Sequence, residues 1–449
     1  MTRRARNAGA TSAISSLFGA MTLLMGTLAA GSAAAADLQL RHADPGVVRM
    51  AAPPGARAGE IQLRVDPPAG LHRLRLRRHE ALGAVARDEA GAEAFTGEVE
   101  GRPGSWVALT RIGARWSGLW FDGTEFFGIE TAGELAPVQQ KLFTGAAGTP
   151  MVFRLSDVQF DDASFEGDVL HAPPGNGQAL VEALAGDAPA MAAAIAAPTH
   201  RLKLAIVADS ILARAEGDQL EANLLAKLNI IDGLFSNQVG VEVTADSVTT
   251  FTTRSSDPFT NTDEPGALLD QLSSWRAGNA WQRNTALTHL FTGRDLERRT
   301  VGLAYLDTLC SRRYSASLSE ARGPASFAAL IAAHEIAHVF GAPHDGEAGG
   351  ACATTNDSNY LMAPRINGSQ QFSACSLAQM APRVQAASCL QKLETTAVET
   401  PATPGTGGGS SSGGGGGGAL AGTALALLGL MGLARARRRL QMRENQSAR

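Results

Sequence analysis

Cysteine is scarce in this chain of 449 residues. The four cysteines are Cys310, Cys352, Cys375 and Cys389, and none precedes residue 310. No two of them form a C-x-x-C pair, which argues against a cysteine-based zinc site. An even number of cysteines in an exported chain is typical of two disulfide bonds, and four cysteines allow three pairings.

A charge excess of either sign is also missing. The chain has 39 basic and 43 acidic residues and a formal net charge of −4, so its electrostatics indicate no nucleic-acid partner. The basic run "HRLRLRRHE" at 72–80 is typical of the solvated face of a strand. With 44% hydrophobic and 18% charged residues, the composition is that of a soluble globular protein with room for two folded units.

The two ends have compositions of their own. Residues 1–36 run from "MTRRAR" through a mostly apolar stretch to "GSAAAA". This order predicts a secretory signal peptide, with a buried N-terminal helix as the alternative. Residues 393–418 are rich in Gly, Ser and Pro and predict a flexible linker. The apolar run 419–434 is shorter than the ~20 residues of a spanning helix, and the basic stretch 435–449 would stay in the cytoplasm.

The C-terminal end resembles the GlyGly-CTERM sorting tails of Gram-negative bacteria. A glycine run, a short apolar helix and an arginine cluster carry the resemblance. It implies secretion machinery, transient anchoring of the exported protein through 419–434, and removal of the tail by a rhombosortase-type intramembrane protease. A permanent membrane anchor is the alternative.

The pattern of apolar residues changes once between these ends. Residues 37–170 show short alternating runs broken by Gly, Pro and Asp, which predict a β-rich domain. Residues 171–198 are rich in Ala, Pro and Gly and predict a linker. From 199 to 392 strand patterns alternate with helical patterns, which predicts an α/β domain with a long helix at 324–341.

The run "AAHEIAHVFGAPHD" at 332–345 concentrates metal-binding side chains. His334 and His338 lie one turn apart on the same face of a helix. Gly341 can end that helix with a positive φ, and His344 can then return as a third ligand. Three imidazoles with an open fourth position are typical of catalytic zinc, where Glu335 would serve as general base. Histidines satisfied within a core are the alternative.

These residues match H-E-x-x-H-x-x-G-x-x-H, the metzincin signature. The chain resembles the adamalysin or reprolysin branch, the ADAM-like proteases, in which an aspartate follows the third histidine. Here that aspartate is Asp345. "NYLMAPRI" offers Met362 for the methionine turn under the metal. The resemblance implies a metzincin catalytic domain, of the α/β (α+β) class, with a mixed twisted sheet and an active-site helix.

The same resemblance implies further features. It pairs Cys310 with Cys389 and Cys352 with Cys375. The segment 97–130 is similar to reprolysin propeptides, so 37–170 would be a β-rich propeptide, with an independent binding domain as the alternative. Substrate would extend along the edge strand near 302–308.

The sequence therefore predicts a secreted zinc endopeptidase that is made as a zymogen and acts on protein or peptide substrates. Two alternatives remain: a narrow-specificity processing protease for a partner protein, and an adhesion module on an inactive protease fold. The intact Glu335 argues against the second.

This propeptide has no cysteine to hold the zinc, so another residue must be sought as the ligand that keeps the precursor inactive. Phe165, Glu166, Gly167 and Asp168 resemble the F-x-G-D motif of astacin propeptides, whose aspartate binds the metal. Asp168 is thus a possible latency ligand, and His171 is a weaker one. A simple turn at this position, or a propeptide that only covers the cleft, is the alternative.

Overall fold

The structure is a computed structural model, and it describes the chain in segments. These are residues 38–40, 44–45, 48–51, 60–66, 70–83, 91–138, 145–160, 168–173, 197–259, 262–356, 360–365 and 368–394. The predicted signal peptide, the apolar run 419–434 and the basic tail lie outside them. Within the described segments, no helix is both long and apolar enough to cross a bilayer.

The described residues from 38 to 160 form the N-terminal domain, which is built on an antiparallel sheet of nine strands in the order β2-β10-β9-β8-β7-β6-β5-β4-β3. The strands are β2 (Asp44–Pro45), β3 (Val48–Ala51), β4 (Glu60–Val65), β5 (His72–Arg78), β6 (Ala92–Val99), β7 (Trp106–Ile112), β8 (Arg115–Phe121), β9 (Phe126–Thr131) and β10 (Pro150–Arg154). Strands β1 (Leu38–Leu40) and β11 (Val158–Phe160) form a separate pair, and two short helices are α1 (Glu80–Gly83) and α2 (Ala132–Leu135).

Side chains of this sheet are buried on both of its faces. In β7, Val107 and Leu109 belong to a core on one side, whereas Trp106, Ala108 and Ile112 belong to a core shared with the rest of the chain. The basic run in β5 alternates as expected for a strand, with its leucines buried and its arginines exposed.

The described residues from 197 to 394 form the C-terminal domain, and its sheet has the order β12-β16-β17-β15-β13-β14 with β18 beside β13. The strands are β12 (Val169–His171), β13 (His200–Ala208), β14 (Val241–Thr250), β15 (Leu287–Thr292), β16 (Gly302–Leu306), β17 (Ala316–Glu320) and β18 (Gln391–Lys392). The helices are α3 (Ser210–Glu216), α4 (Leu220–Gln238), α5 (Pro265–Gly278), α6 (Ala325–Val339) and α7 (Ala374–Ala386). The predicted α/β class with a mixed sheet is confirmed.

One strand of this sheet comes from before the predicted linker. Strand β12 runs parallel to β16, with Val169 opposite Ala304 and His171 opposite Leu306. It therefore crosses the expected boundary at residue 170. It occupies the edge of the sheet, beside the strand along which we expected substrate to extend.

Candidate metal centre

Helix α6 places the two histidines of the motif. Pro324 stands directly before its first residue, a position at which the missing N–H costs nothing. The helix is buried along its length, so His334 and His338 project into the protein. Gly341 has a φ of 95°, which glycine adopts without strain, and its N–H donates to the carbonyl of His338. The chain then turns and brings His344 back.

The Nε2 atoms of the three histidines converge. His334 Nε2 lies 2.9 Å from His338 Nε2 and 3.3 Å from His344 Nε2. All three side chains are at most 3% exposed. Burial lowers the pKa of His334 to about 4, so its imidazole is neutral, as a metal ligand must be.

Each of the three imidazoles is oriented through its other nitrogen. His334 Nδ1 lies 2.7 Å from the carbonyl oxygen of Leu361, and His338 Nδ1 lies 2.7 Å from that of Ala342. The third, His344 Nδ1, lies 3.0 Å from Glu347 Oε2. Such partners fix the tautomer with Nδ1 protonated and leave Nε2 as the electron-pair donor. The sequence analysis missed Glu347, although it lies only three residues after His344.

Asp168 completes the cluster from the strand-β12 side. Its carboxylate lies 3.3 Å from His334 Nε2 and 3.1 Å from His344 Nε2, and the residue is fully buried. Burial opposes its ionisation, but the three imidazoles that face it hold the pKa of Asp168 well below its usual range.

This donor set fits a zinc ion. The four ligand atoms lie within 4.8 Å of one another. Among the described residues, neither carboxylate oxygen of Asp168 has a hydrogen-bond partner, although both are buried, which would be costly without a cation. Three imidazole nitrogens and one carboxylate oxygen match the four-coordinate preference of zinc.

Glu335 lies beside the cluster and is fully buried. Neither of its carboxylate oxygens has a hydrogen-bond partner in the part of the chain that the structure describes. Burial first, and then the charge of Asp168, raise the pKa of Glu335 well above its usual range. The space for this carboxylate comes from Gly302 in β16, because a Cβ there would overlap the Glu335 side chain. The sequence analysis did not single out Gly302.

The other predicted residues, Met362 and Asp345, are joined to each other by a backbone hydrogen bond. Met362 is fully buried, and its carbonyl accepts a hydrogen bond of 2.8 Å from the N–H of Asp345. Asp345 Oδ1 in turn accepts from the hydroxyl of Ser373, 2.6 Å away at the start of α7. The carboxylate of Asp345 thus ties the turn after the third histidine to helix α7.

Two disulfides hold the surrounding loops. They join Cys310 to Cys389 and Cys352 to Cys375, which are the pairs that the family resemblance implies. The first links the loop after β16 to the end of the domain. The second links the loop after His344 to α7.

Comparison with known proteins locates a related domain in the same region. The protein-family model Reprolysin_5, described as metallo-peptidase family M12, matches residues 199–373. The match contains α6, the three histidines and Met362.

Several curated proteins are similar to parts of this chain. Human "A disintegrin and metalloproteinase with thrombospondin motifs 14" is 25% identical over 313 residues, 66% of this chain and 25% of that protein. Human "Disintegrin and metalloproteinase domain-containing protein 33" is 28% identical over 300 residues, 64% of this chain and 34% of that protein. Snake venom metalloproteinase acutolysin-C from Deinagkistrodon acutus is 34% identical over 113 residues, 24% of this chain and 26% of that protein.

This chain therefore spans about a quarter to a third of the length of these relatives. Their similarity, the family match and the histidine cluster agree with one another. Residues 199–373 match a metallopeptidase family of the zinc-dependent adamalysin type, and they contain the three histidines that could hold the metal.

Proposed function

We propose that this protein is an exported zinc endopeptidase synthesised as a latent precursor. The observation that carries the proposal is the convergence of three histidine Nε2 atoms next to the buried carboxylate of Glu335. Three imidazoles and one adjacent carboxylate are the groups that metal-assisted hydrolysis of a peptide bond needs.

Each residue has one role in this proposal. His334, His338 and His344 hold the metal through Nε2. When bound, zinc supplies Lewis acidity to a water molecule and to the scissile carbonyl group. Glu335 accepts the proton of the attacking water on a carboxylate oxygen and delivers it to the leaving amine nitrogen. Gly302 leaves the space in which that carboxylate can move.

The substrate position follows from the edge of the sheet. Strand β16 is hydrogen-bonded to β17 on one side and to β12 on the other. Once β12 has left, an extended protein or peptide substrate would pair with the vacated side through backbone hydrogen bonds. In the precursor, β12 takes this place.

The precursor is latent because one segment blocks two requirements at once. Strand β12 occupies the edge of β16, where substrate would pair, and Asp168 occupies the position of the fourth ligand, where water must enter. The N–H of Ala304 donates to the carbonyl of Asp168 across 2.9 Å, which fixes the register of β12 against β16. We therefore assign Asp168 as the latency ligand.

Export is supported by features at the ends of the chain and by the disulfides. The signal-like residues 1–36 would send the chain through the secretion machinery, and disulfides persist outside the reducing cytoplasm. The C-terminal tail would anchor the protein transiently at the surface of a Gram-negative cell until a rhombosortase-type protease removes it.

Catalysis is tested with Glu335→Gln and a chelator. The substitution keeps the size of the side chain but removes the general base, so hydrolysis of a peptide library by the activated enzyme should fall by a factor of ~10² to 10⁴. Zinc content should stay at the wild-type value. Glu242→Gln, on the outer strand β14, is the matched control and should keep full activity. A Glu335→Gln enzyme that cleaves at the wild-type rate would exclude this mechanism.

Latency is tested with Asp168→Ala in the uncleaved precursor. The substitution removes the fourth ligand, so the precursor should acquire measurable peptidase activity and react with a small hydroxamate inhibitor. Asp157→Ala, in the same part of the chain but outside the metal cluster, should remain as latent as the wild type. If the Asp168→Ala precursor stays inactive and its zinc stays shielded from the inhibitor, Asp168 is not the latch.

A further inference from the structure

Helix α4 of the C-terminal domain is buried on all sides. Every residue from 224 to 235 is buried, whereas a helix at the surface of a domain keeps one polar face. One side of α4 packs on β14, and α6 lies against it. Its remaining side, which would otherwise meet solvent, is covered by strands β6, β7 and β8 of the N-terminal domain.

Small residues allow the two domains to approach closely along α4. A Cβ on Gly233 would lie 2.8 Å from Trp106 Cζ3 and 2.9 Å from the Cβ of Ala108, closer than real contacts allow. Ala226, two turns earlier, is fully buried in the same core. At Gly233, therefore, the backbone of α4 lies directly against the side chains of β7.

Buried hydrogen bonds fix the register of this contact. Asn229 is 1% exposed, and its amide donates to the carbonyls of Phe95 and Leu109, 3.2 and 3.0 Å away in β6 and β7. His79 Nε2 lies 2.8 Å from Asp232 Oδ2. An amide aimed at two strand carbonyls in an apolar core specifies one arrangement of the domains.

A second contact reaches the helix of the active site. Glu130 is fully buried in β9, and its Oε1 accepts a hydrogen bond of 2.9 Å from the N–H of Ser326, in the first turn of α6. The residue before α6 is Pro324, which provides no side-chain cap. The N-terminal domain therefore caps the helix that carries His334 and Glu335. Phe153 adds a ring contact with Phe327 at 5.7 Å.

We propose that the N-terminal domain stays bound after the chain between the domains is cut, so that the mature enzyme is a non-covalent complex of two fragments. This inference rests on the proposed function only in assuming that activation includes such a cut. The partner that covers the remaining side of α4 is the chain's own N-terminal domain. That domain acts as a lasting structural subunit, and latency resides in Asp168 and β12 alone.

The experiment uses the full chain with a recognition site for a site-specific protease inserted between residues 174 and 196. The background is Glu335→Gln, so the result does not depend on peptidase activity. After the cut, the two fragments should co-elute in size-exclusion chromatography and bind with a Kd below about 1 µM. Because a cut after β12 leaves the latch tethered, peptidase activity of the cut protein with Glu335 intact and Asp168→Ala tests the proposed function separately.

Two variants test whether the observed contact is responsible. Gly233→Ala adds one methyl group against Trp106 and should raise the Kd of the fragments by at least ~10-fold. Gly278→Ala is the matched control, because a Cβ at this helical glycine meets nothing within 4 Å. His79→Ala is the second test variant, since it removes a cross-domain contact without adding volume, and it too should raise the Kd.

The proposal is overturned if the cut fragments separate at micromolar concentration while the C-terminal fragment keeps its native circular dichroism. It is also overturned if both Gly233→Ala and His79→Ala leave the Kd unchanged. Co-elution that only these two variants weaken supports it.

Discussion

Gly302 offers a test of the catalytic geometry that changes no reacting group. In a Gly302→Ala enzyme the new methyl group would lie 2.7 Å from both Cγ and Cδ of Glu335. Carbon atoms in ordinary contact are about 3.5–4.0 Å apart, so the glutamate side chain must withdraw by roughly 1 Å. Glu335 is buried on a helix, and its stem cannot swing out into solvent.

The expected loss follows from that displacement. A misplacement of about 1 Å in a catalytic group can cost ~10²-fold in rate, which equals about 2.7 kcal/mol of transition-state stabilisation. The loss should appear in kcat, because Gly302 still offers its backbone to substrate. The three histidines do not move, so zinc content should stay at the wild-type value.

The assay compares kcat/KM of activated wild-type enzyme, Gly302→Ala and the control Gly278→Ala on one peptide, with metal analysis of each sample. Gly278→Ala should match the wild type. A Gly302→Ala enzyme within about twofold of wild-type kcat would refute the argument that this glycine makes room for the base. A Gly302→Ala enzyme that has lost its zinc would place the defect at the metal instead.

Two further outcomes are expected. Burial, and then the charge of Glu134, raise the pKa of Glu130 from 4.5 to about 8. The free energy of unfolding that Glu130 contributes is therefore complete below pH 4.5 and is lost as the pH rises through 8. Glu130→Gln should therefore flatten the fall in Tm of the precursor between pH 4.5 and 8, and a slope equal to that of the wild type would contradict this. The tail after about residue 405 should be absent from the mature protein of the native host, measured by intact mass; a membrane-bound species that ends at Arg449 would contradict it.

Local sequence rules were sufficient to predict the metal-binding helix and the turn that follows it. The i, i+4 spacing of His334 and His338, the proline before the helix and the glycine after it are features of neighbouring residues, and the structure places all of them as the sequence analysis expected. The strand patterns of β13 and β14 were recognisable for the same reason.

Two elements of the C-terminal domain were missed because their signals are weak. Strand β17 reads "ASLSE", yet all five residues are buried. Its serines Ser317 and Ser319 bond the two nitrogens of His289 in the next strand, and burial lowers the pKa of His289 to about 3. Polar residues that satisfy one another in a core look like a turn in the sequence. Helix α7 was missed as well, and it contains Pro382.

The contact between the two domains could not be predicted for a different reason. In the sequence of α4 taken by itself, Asn229 and Gly233 weaken the prediction of a helix. They stabilise the fold through contacts with strands more than a hundred residues earlier. The position of β12 is likewise a long-range property. Three residues carry little pattern, and their partners in β16 lie more than a hundred residues later in the chain.

Strand β12 is tethered at both ends, because the chain enters it from the N-terminal domain and leaves it toward β13. Three of the described residues pair with β16, and a strand of that length would bind weakly on its own. A tether holds such a segment at an effective concentration on the order of millimolar, and one cut leaves the other tether in place while its domain stays bound. Two cuts turn the latch into a free peptide that is lost by dilution. Latency then depends on how many times the chain is cut, and hardly on how tightly the strand binds.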